Sequence, residues 1–167
     1  MTRQNKPTFK NILIIFLFLL GINGVSGKEV RLQGKAPMYA GETITFYTYA
    51  DYISKDTIHL EATRIQEDGS FTCSFCTGQV IKIFTNLGVY KGYLFVEPGK
   101  KYELVLPDKK EKDKSQKLNP YFEGITVHIG IKNTSQEELN YQINRFLNQY
   151  NKIINEHINN IKNLSQM

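Results

Sequence analysis

Over residues 29–106 apolar and polar positions alternate with a period of two. The run Thr43-Ile44-Thr45-Phe46-Tyr47-Thr48-Tyr49 alternates sharply. Over residues 57–65, Ile58, Leu60 and Ala62 share one face, while His59, Glu61 and Thr63 share the other. Residues 70–75, 79–85, 90–96 and 101–106 form further runs. Turn signals separate them: Asp68-Gly69, Asn86-Leu87-Gly88 and Glu97-Pro98-Gly99-Lys100. In the last, Pro presets φ and Gly accepts a positive φ, as a type II turn requires. Short strands at this spacing, with no helical pattern between them, predict an antiparallel β-sandwich over residues 28–107, Ig-like or transthyretin-like. Ile44, Phe46, Leu60 and Phe71 are its expected core.

The pattern changes at residues 108–119, a charge-dense stretch from Asp108 to Asn119 that reads as an exposed linker. In residues 120–132, Ile125, Val127, Ile129 and Ile131 alternate with Thr126, His128 and Gly130, predicting one more strand. Over residues 135–164 the period lengthens. Ser135-Gln136-Glu137-Glu138 reads as a capping box. After it Ile143, Leu147, Tyr150, Ile154, His157, Ile161 and Leu164 recur at spacings of four and three. Asn140, Asn144, Asn148, Asn151, Asn155 and Asn159 are expected on the polar face of this long amphipathic helix. From residue 136 to 164 it would span about 43 Å at about 1.5 Å per residue. A small domain is roughly 30 Å across, so a second copy, a partner helix or further chain is expected to cover the rest of the stripe.

The N-terminus adds a compartment. Arg3, Lys6 and Lys10 precede the apolar run from Ile12 to Leu20, and small residues follow up to Gly27. This is the layout of a cleavable signal peptide over residues 1–27, with Val25 and Gly27 at a small-x-small cleavage site. A spanning helix needs about 20 apolar residues, more than this run supplies. An exported, periplasmic or cell-envelope chain follows, with no membrane segment in its mature part. The formal charge of +5 loses the three signal cations and no acid, so the mature chain stands near +2. That small excess does not call for a nucleic-acid partner.

Candidate chemistry is sparse. Cys73-Ser74-Phe75-Cys76 is a C-x-x-C, but it follows a turn into a strand, and Thr77-Gly78 opens no helix. A redox pair has its first Cys at a helix N-terminus, where the thiol pKa falls. In a continuous strand Cys73 and Cys76 face opposite ways, about 10 Å apart at about 3.3 Å per residue. The limit for a bridge is roughly 7 Å. A bulge at Phe75 would make a local Cys73–Cys76 disulfide; otherwise both are packing residues. His59 and His128 fall on polar strand faces and His157 in the helix stripe. No phosphate-binding loop, nucleophile elbow or H-E-x-x-H occurs, so no catalytic residue, metal or cofactor is expected.

Three passages carry a resemblance: Gly34-Lys35-Ala36-Pro37-Met38-Tyr39-Ala40-Gly41, Glu67-Asp68-Gly69-Ser70-Phe71, and Gly92-Tyr93-Leu94-Phe95-Val96-Glu97-Pro98-Gly99. They resemble exported bacterial proteins of unknown function. The N-terminal β-sandwich of those proteins is related to the one preceding thioredoxin-like domains in envelope thiol–disulfide proteins. Asn119-Pro120-Tyr121-Phe122-Glu123 is similar to the longer members. The resemblance implies a non-enzymatic envelope accessory or interaction module that is the N-terminal part of a longer protein or a shortened relative. The alternative is a fragment or relative of a thiol–disulfide oxidoreductase.

Overall fold

Nine strands form among the described residues, with turns at Asp68-Gly69 and Pro98-Gly99 as predicted, while Asn86 and Leu87 still belong to a strand and the turn there falls at Gly88-Val89. The computed structural model describes residues 27–51, 53–132 and 134–164. The signal peptide expected over residues 1–27 lies, apart from Gly27, outside them. The strands are β1 (Lys28–Lys35), β2 (Thr43–Tyr49), β3 (Thr57–Arg64), β4 (Ser70–Thr77) and β5 (Ile81–Leu87). They continue with β6 (Tyr90–Val96), β7 (Lys101–Val105), β8 (Ile125–His128) and β9 (Gly130–Ile131). Two helices follow β7 in the chain: α1 (Lys114–Leu118), before β8, and α2 (Leu139–Leu164), after β9.

One sheet has the order β4-β1-β7-β9 and the other β3-β2-β5-β6-β8. Five of the seven neighbouring pairs among the described residues are antiparallel, and two of these, β2–β3 and β5–β6, join consecutive strands. The β1–β7 and β6–β8 pairs are parallel. Burial follows the alternation in β4 and β6 but not in β3, where Ile58 and Ala62 are exposed instead of sharing an inward face with Leu60, because the β2–β3 register shifts between Phe46 and Tyr47. Phe71, Cys73, Phe75 and Thr77 of β4 face inward together, opposite Ile44 and Phe46 of β2 and Leu94 and Val96 of β6. Ile44, Phe46 and Phe71 are core residues as expected, while Leu60 packs half-buried at its margin. Pro98-Gly99 makes the predicted turn: Gly99 has φ +81° and Lys100 N–H donates to Glu97 O at 3.3 Å. Gly69 is required twice over, by its φ of +83° and because a Cβ would stand 2.6 Å from Pro37 N.

Three sequence expectations need correction. The run 125–131 is not one strand. β8 lies beside β6, and the chain then crosses at the fully buried Ile129 to pair as β9 with β7 in the other sheet. Gly92 makes that crossing possible, since a Cβ there would meet the Ile129 side chain at 2.9 Å. The linker is not wholly irregular either: Asp113 and Gln116 form a reciprocal capping box that closes the short α1. Lys110 O, from the same linker, accepts from Val89 N–H at 3.0 Å. Finally, the long helix starts at Leu139 rather than next to Ser135. Ser135 O closes a turn onto Glu138 N–H at 3.1 Å. It is the Glu138 carboxylate that caps the helix, accepting from Tyr141 N–H at 3.1 Å.

Within the core, Thr85 is fully buried between inward-facing Ile83 and Leu87, and its hydroxyl has no hydrogen-bond partner among the described residues. An unpaired buried hydroxyl costs about 1–3 kcal/mol, and valine has nearly the same shape. Thr85→Val is therefore expected to raise unfolding stability by about 1 kcal/mol, read from the denaturation midpoint at unchanged slope. A loss of stability would show that the hydroxyl has a partner.

Candidate functional site

Two neighbouring features stand out on the outward face of the β3-β2-β5-β6-β8 sheet. The first is a field of aromatic rings and lysines. Period-two geometry turns Tyr47 and Tyr49 of β2, Lys82 and Phe84 of β5, and Lys91, Tyr93 and Phe95 of β6 away from the core. Phe84 stacks with Tyr47 at a centroid distance of 5.7 Å and with Tyr49 at 4.7 Å. It is buried although it faces outward. Lys91 Nζ lies 4.2 Å from the Phe84 centroid and donates to Tyr49 Oη at 2.7 Å. Lys82 Nζ lies 4.2 Å over the Tyr93 ring. Cations held over ring faces gain quadrupole attraction while their stems cover apolar surface. With the 122–124 segment as a wall, Tyr49, Lys82, Phe84, Lys91 and Tyr93 line a cleft of about 430 Å³ whose rim also carries Lys55, Thr57, Asn86, Glu123 and Thr126.

The second feature is where α2 meets this sheet. The β6 edge is read by β8 as far as Tyr93: Val89 O accepts from Ile125 N–H at 2.8 Å and Tyr93 O from Ile129 N–H at 2.9 Å. The chain then leaves for the other sheet, and the next slot, at Phe95, is filled by a side chain. Phe95 N–H donates to Asn140 Oδ1 at 2.7 Å, and Asn140 Nδ2 donates to Phe95 O at 2.8 Å. A primary amide has one acceptor and two donors in the layout of a peptide group, so Asn140 continues the ladder as a strand residue would. Its second N–H goes to Glu138 Oε1 at 2.8 Å. Asn140 is 1% exposed, which corrects its expected place on the polar helix face.

His128 completes the joint. Because Phe95 fixes Oδ1 of Asn140 as an acceptor, His128 Nε2, 3.2 Å away, carries the proton. Nδ1 then accepts from Asn144 Nδ2 at 3.1 Å. The ring meets the Tyr93 ring edge-on at 5.3 Å. The expected solvent-exposed imidazole is therefore half-buried in a polar network. His59 is exposed beside Tyr47, and His157 is exposed on α2.

Beyond this joint α2 has almost no contact with the sandwich. Ile143 and Leu147 are half-buried, whereas Phe146, Tyr150, Ile153, Ile154, Ile158 and Ile161 are exposed, Phe146 at 63% and Ile161 at 66%.

Cys73 and Cys76 are not brought together. β4 runs unbroken through both, with Cys73 paired to Leu32 and Cys76 to Glu29 of β1. Cys73 is buried and Cys76 exposed, both as free thiols. Burial first, and then Glu61, push the Cys73 thiol up to about 12, so it is protonated and inert at neutral pH. Among the described residues no group of three or more His, Cys, Asp or Glu side chains could hold a metal ion. No described helix is long and apolar enough to cross a membrane.

Burial lowers the His128 pKa below the ordinary 6.5; the Asn140 hydrogen bond and Glu138 oppose this, and Lys82 reinforces it. The folded state favours the neutral ring, so the joint contributes fully above the unfolded value near 6.5. That contribution is lost as pH falls through the lower folded value. Helix anchoring, followed by amide exchange at Tyr141 and Phe95, is expected to weaken from pH 7.5 to 5, and His128→Gln to abolish the dependence. At neutral pH Asn140→Ala leaves both polar groups of Phe95 unpaired and is expected to cost about 2 kcal/mol. A cost near zero in the denaturation midpoint would contradict the ladder assignment.

No protein-family model and no curated protein matches the sequence. Among solved structures, the chain is similar to a DUF3823 family protein from Parabacteroides merdae ATCC 43184, at 14% identity and a TM-score of 0.30. The match covers 63% of this chain and 46% of that one, so the chain spans about half the length of that neighbour.

Proposed function

We propose that this chain is an exported accessory or interaction module of the cell envelope, without catalysis of its own, that works by contacts made along α2. The observation that carries the reading is the uncovered apolar face of that helix. Its first turn is fastened to β6 by Asn140, while Phe146, Tyr150, Ile153, Ile154, Ile158 and Ile161 stand in solvent. Burial of each Ile or Leu is worth about 1.5–3 kcal/mol, so a covering partner would gain many kcal/mol. An isolated helix rich in Asn has little stability of its own. Export is supported by the basic, apolar and small-residue layout of residues 1–27 and by the resemblance to exported bacterial proteins. Two thiols on opposite faces of one strand lend no support to a thiol–disulfide role.

The partner that fits the stripe best is the same helix of a second copy. The series Ile143, Leu147, Tyr150, Ile154, His157, Ile161 and Leu164 alternates steps of four and three, the spacing of a two-helix seam. Sedimentation equilibrium of residues 28–167 is expected to give a concentration-dependent dimer, and Ile154→Glu with Ile161→Glu a monomer of unchanged β content. A monomer whose amides exchange rapidly from residue 151 onward would assign the stripe to a different protein. A monomer protected through residue 161 would overturn the reading.

A further inference from the structure

We propose that the aromatic–lysine cleft on the outer sheet face is a binding site for an acidic oligosaccharide, independent of what covers α2. Aromatic rings, lysines and neutral polar groups converge there, and the last two match parts of such a ligand. Phe84 and Tyr93 form the floor, in register with each other on β5 and β6. Lys91 lies over the buried Phe84 and Lys82 over Tyr93, so the rings hold two ammonium groups over the cleft, where the carboxylates of an acidic sugar would meet them. Lys82 and Lys91 stand at opposite ends of that floor, because Lys82 pairs with Phe95 and Lys91 with Asn86. The interval of four residues sets their backbones about 13 Å apart along the strands at about 3.3 Å per residue. Neither lysine makes an ion pair among the described residues, where Lys100, Lys109 and Lys132 all do. Lys91 spends one of its three donors on Tyr49, which leaves two for a carboxylate. Lys55 adds a third cation at the rim, against the single acid Glu123.

The remaining rim groups are neutral: Thr57, Asn86 and Thr126 present hydroxyls and an amide to the cleft. Such groups suit a ligand rich in hydroxyls and would be wasted on an apolar one. The volume of about 430 Å³ lies in the range of small-ligand sites, roughly 300–1,000 Å³. Single-stranded nucleic acid also combines rings with cations, but its binding grooves follow the backbone with a succession of basic residues. Here the cations bracket one floor, and Glu123 closes the wall.

The test is calorimetric titration of residues 28–167 with tetragalacturonate, with maltotetraose as the uncharged comparison. Tetragalacturonate is expected to bind at least tenfold more tightly. Lys82→Gln and Lys91→Gln should each weaken it about tenfold, and Tyr93→Ala by as much, with far-UV circular dichroism unchanged. Lys101→Gln, on the other sheet, should have no effect. Lys91→Gln also removes the Tyr49 hydrogen bond, so Lys82→Gln carries the test if Lys91→Gln unfolds. Equal binding of the two sugars, no binding of either, or equal weakening by Lys101→Gln would overturn the proposal. So would tighter binding of a single-stranded oligonucleotide that the same cleft substitutions abolish. Lys91→Gln and Lys82→Gln leave every hydrogen bond of the α2 joint in place, whereas Tyr93→Ala also removes the ring beside His128, so the two lysine variants keep this reading and the α2 reading separable.

Discussion

The short stretch of β6 that β8 leaves uncovered is the constraint on which the C-terminal helix depends. A backbone N–H and C=O on a sheet flank need partners, and leaving them unmade costs several times what a made bond contributes. β8 cannot supply them at Phe95, because Ile129 has already turned into the core and the next residues pair with β7. Eleven residues after Ile129, the chain solves this with Asn140, whose side chain has the hydrogen-bonding groups of a peptide. Asn140 occupies the slot, Glu138 both caps the helix and holds the second Asn140 donor, and His128 closes the network through Asn144. The first turns of α2 are placed by that amide together with the Asn144–His128 bond one turn on. The same fixing explains why the rest of the helix runs clear of the sandwich with its apolar stripe unspent.

The sandwich itself was legible because period-two burial and turn chemistry are local. Ile44 and Phe46, Phe71, and the Pro98-Gly99 turn are readable from neighbours within a few positions. Helix type and amphipathicity were legible for the same reason. What could not be read was anything set by which strands become neighbours. The break at Ile129 looks like uninterrupted alternation, since a strand that changes sheets keeps its period. Asn140 looks like one more member of an asparagine series, and only the gap beside Phe95 distinguishes it. The short α1 was hidden by charge density, although Asp113 and Gln116 had the spacing of a capping box.

The aromatic–lysine face was missed for a different reason. Each ring read singly as a good strand former, and each lysine as a solvated surface charge. The signal lay in the outward phase: Tyr47 and Tyr49, Lys82 and Phe84, and Lys91, Tyr93 and Phe95 all fall on the positions that alternation turns away from the core. A sheet that needed only to be wetted would carry small polar residues there. The Cys73–Cys76 pair shows the opposite case, in which a conspicuous motif has no local geometry behind it. A continuous β4 separates the two sulfurs onto opposite faces, as strand geometry requires.

The joint between Phe95 and Asn140 is tested most directly by site-resolved amide exchange of the unmodified protein at neutral pH. Phe95 N–H points away from β5 at a place where β8 is absent, so in a bare edge strand it would exchange at the rate of an exposed amide. The account predicts that it is protected to the same degree as the Ile129 amide, which donates to Tyr93 in the same ladder. A Phe95 amide that exchanges at the open-edge rate, while Ile129 stays protected, would contradict it.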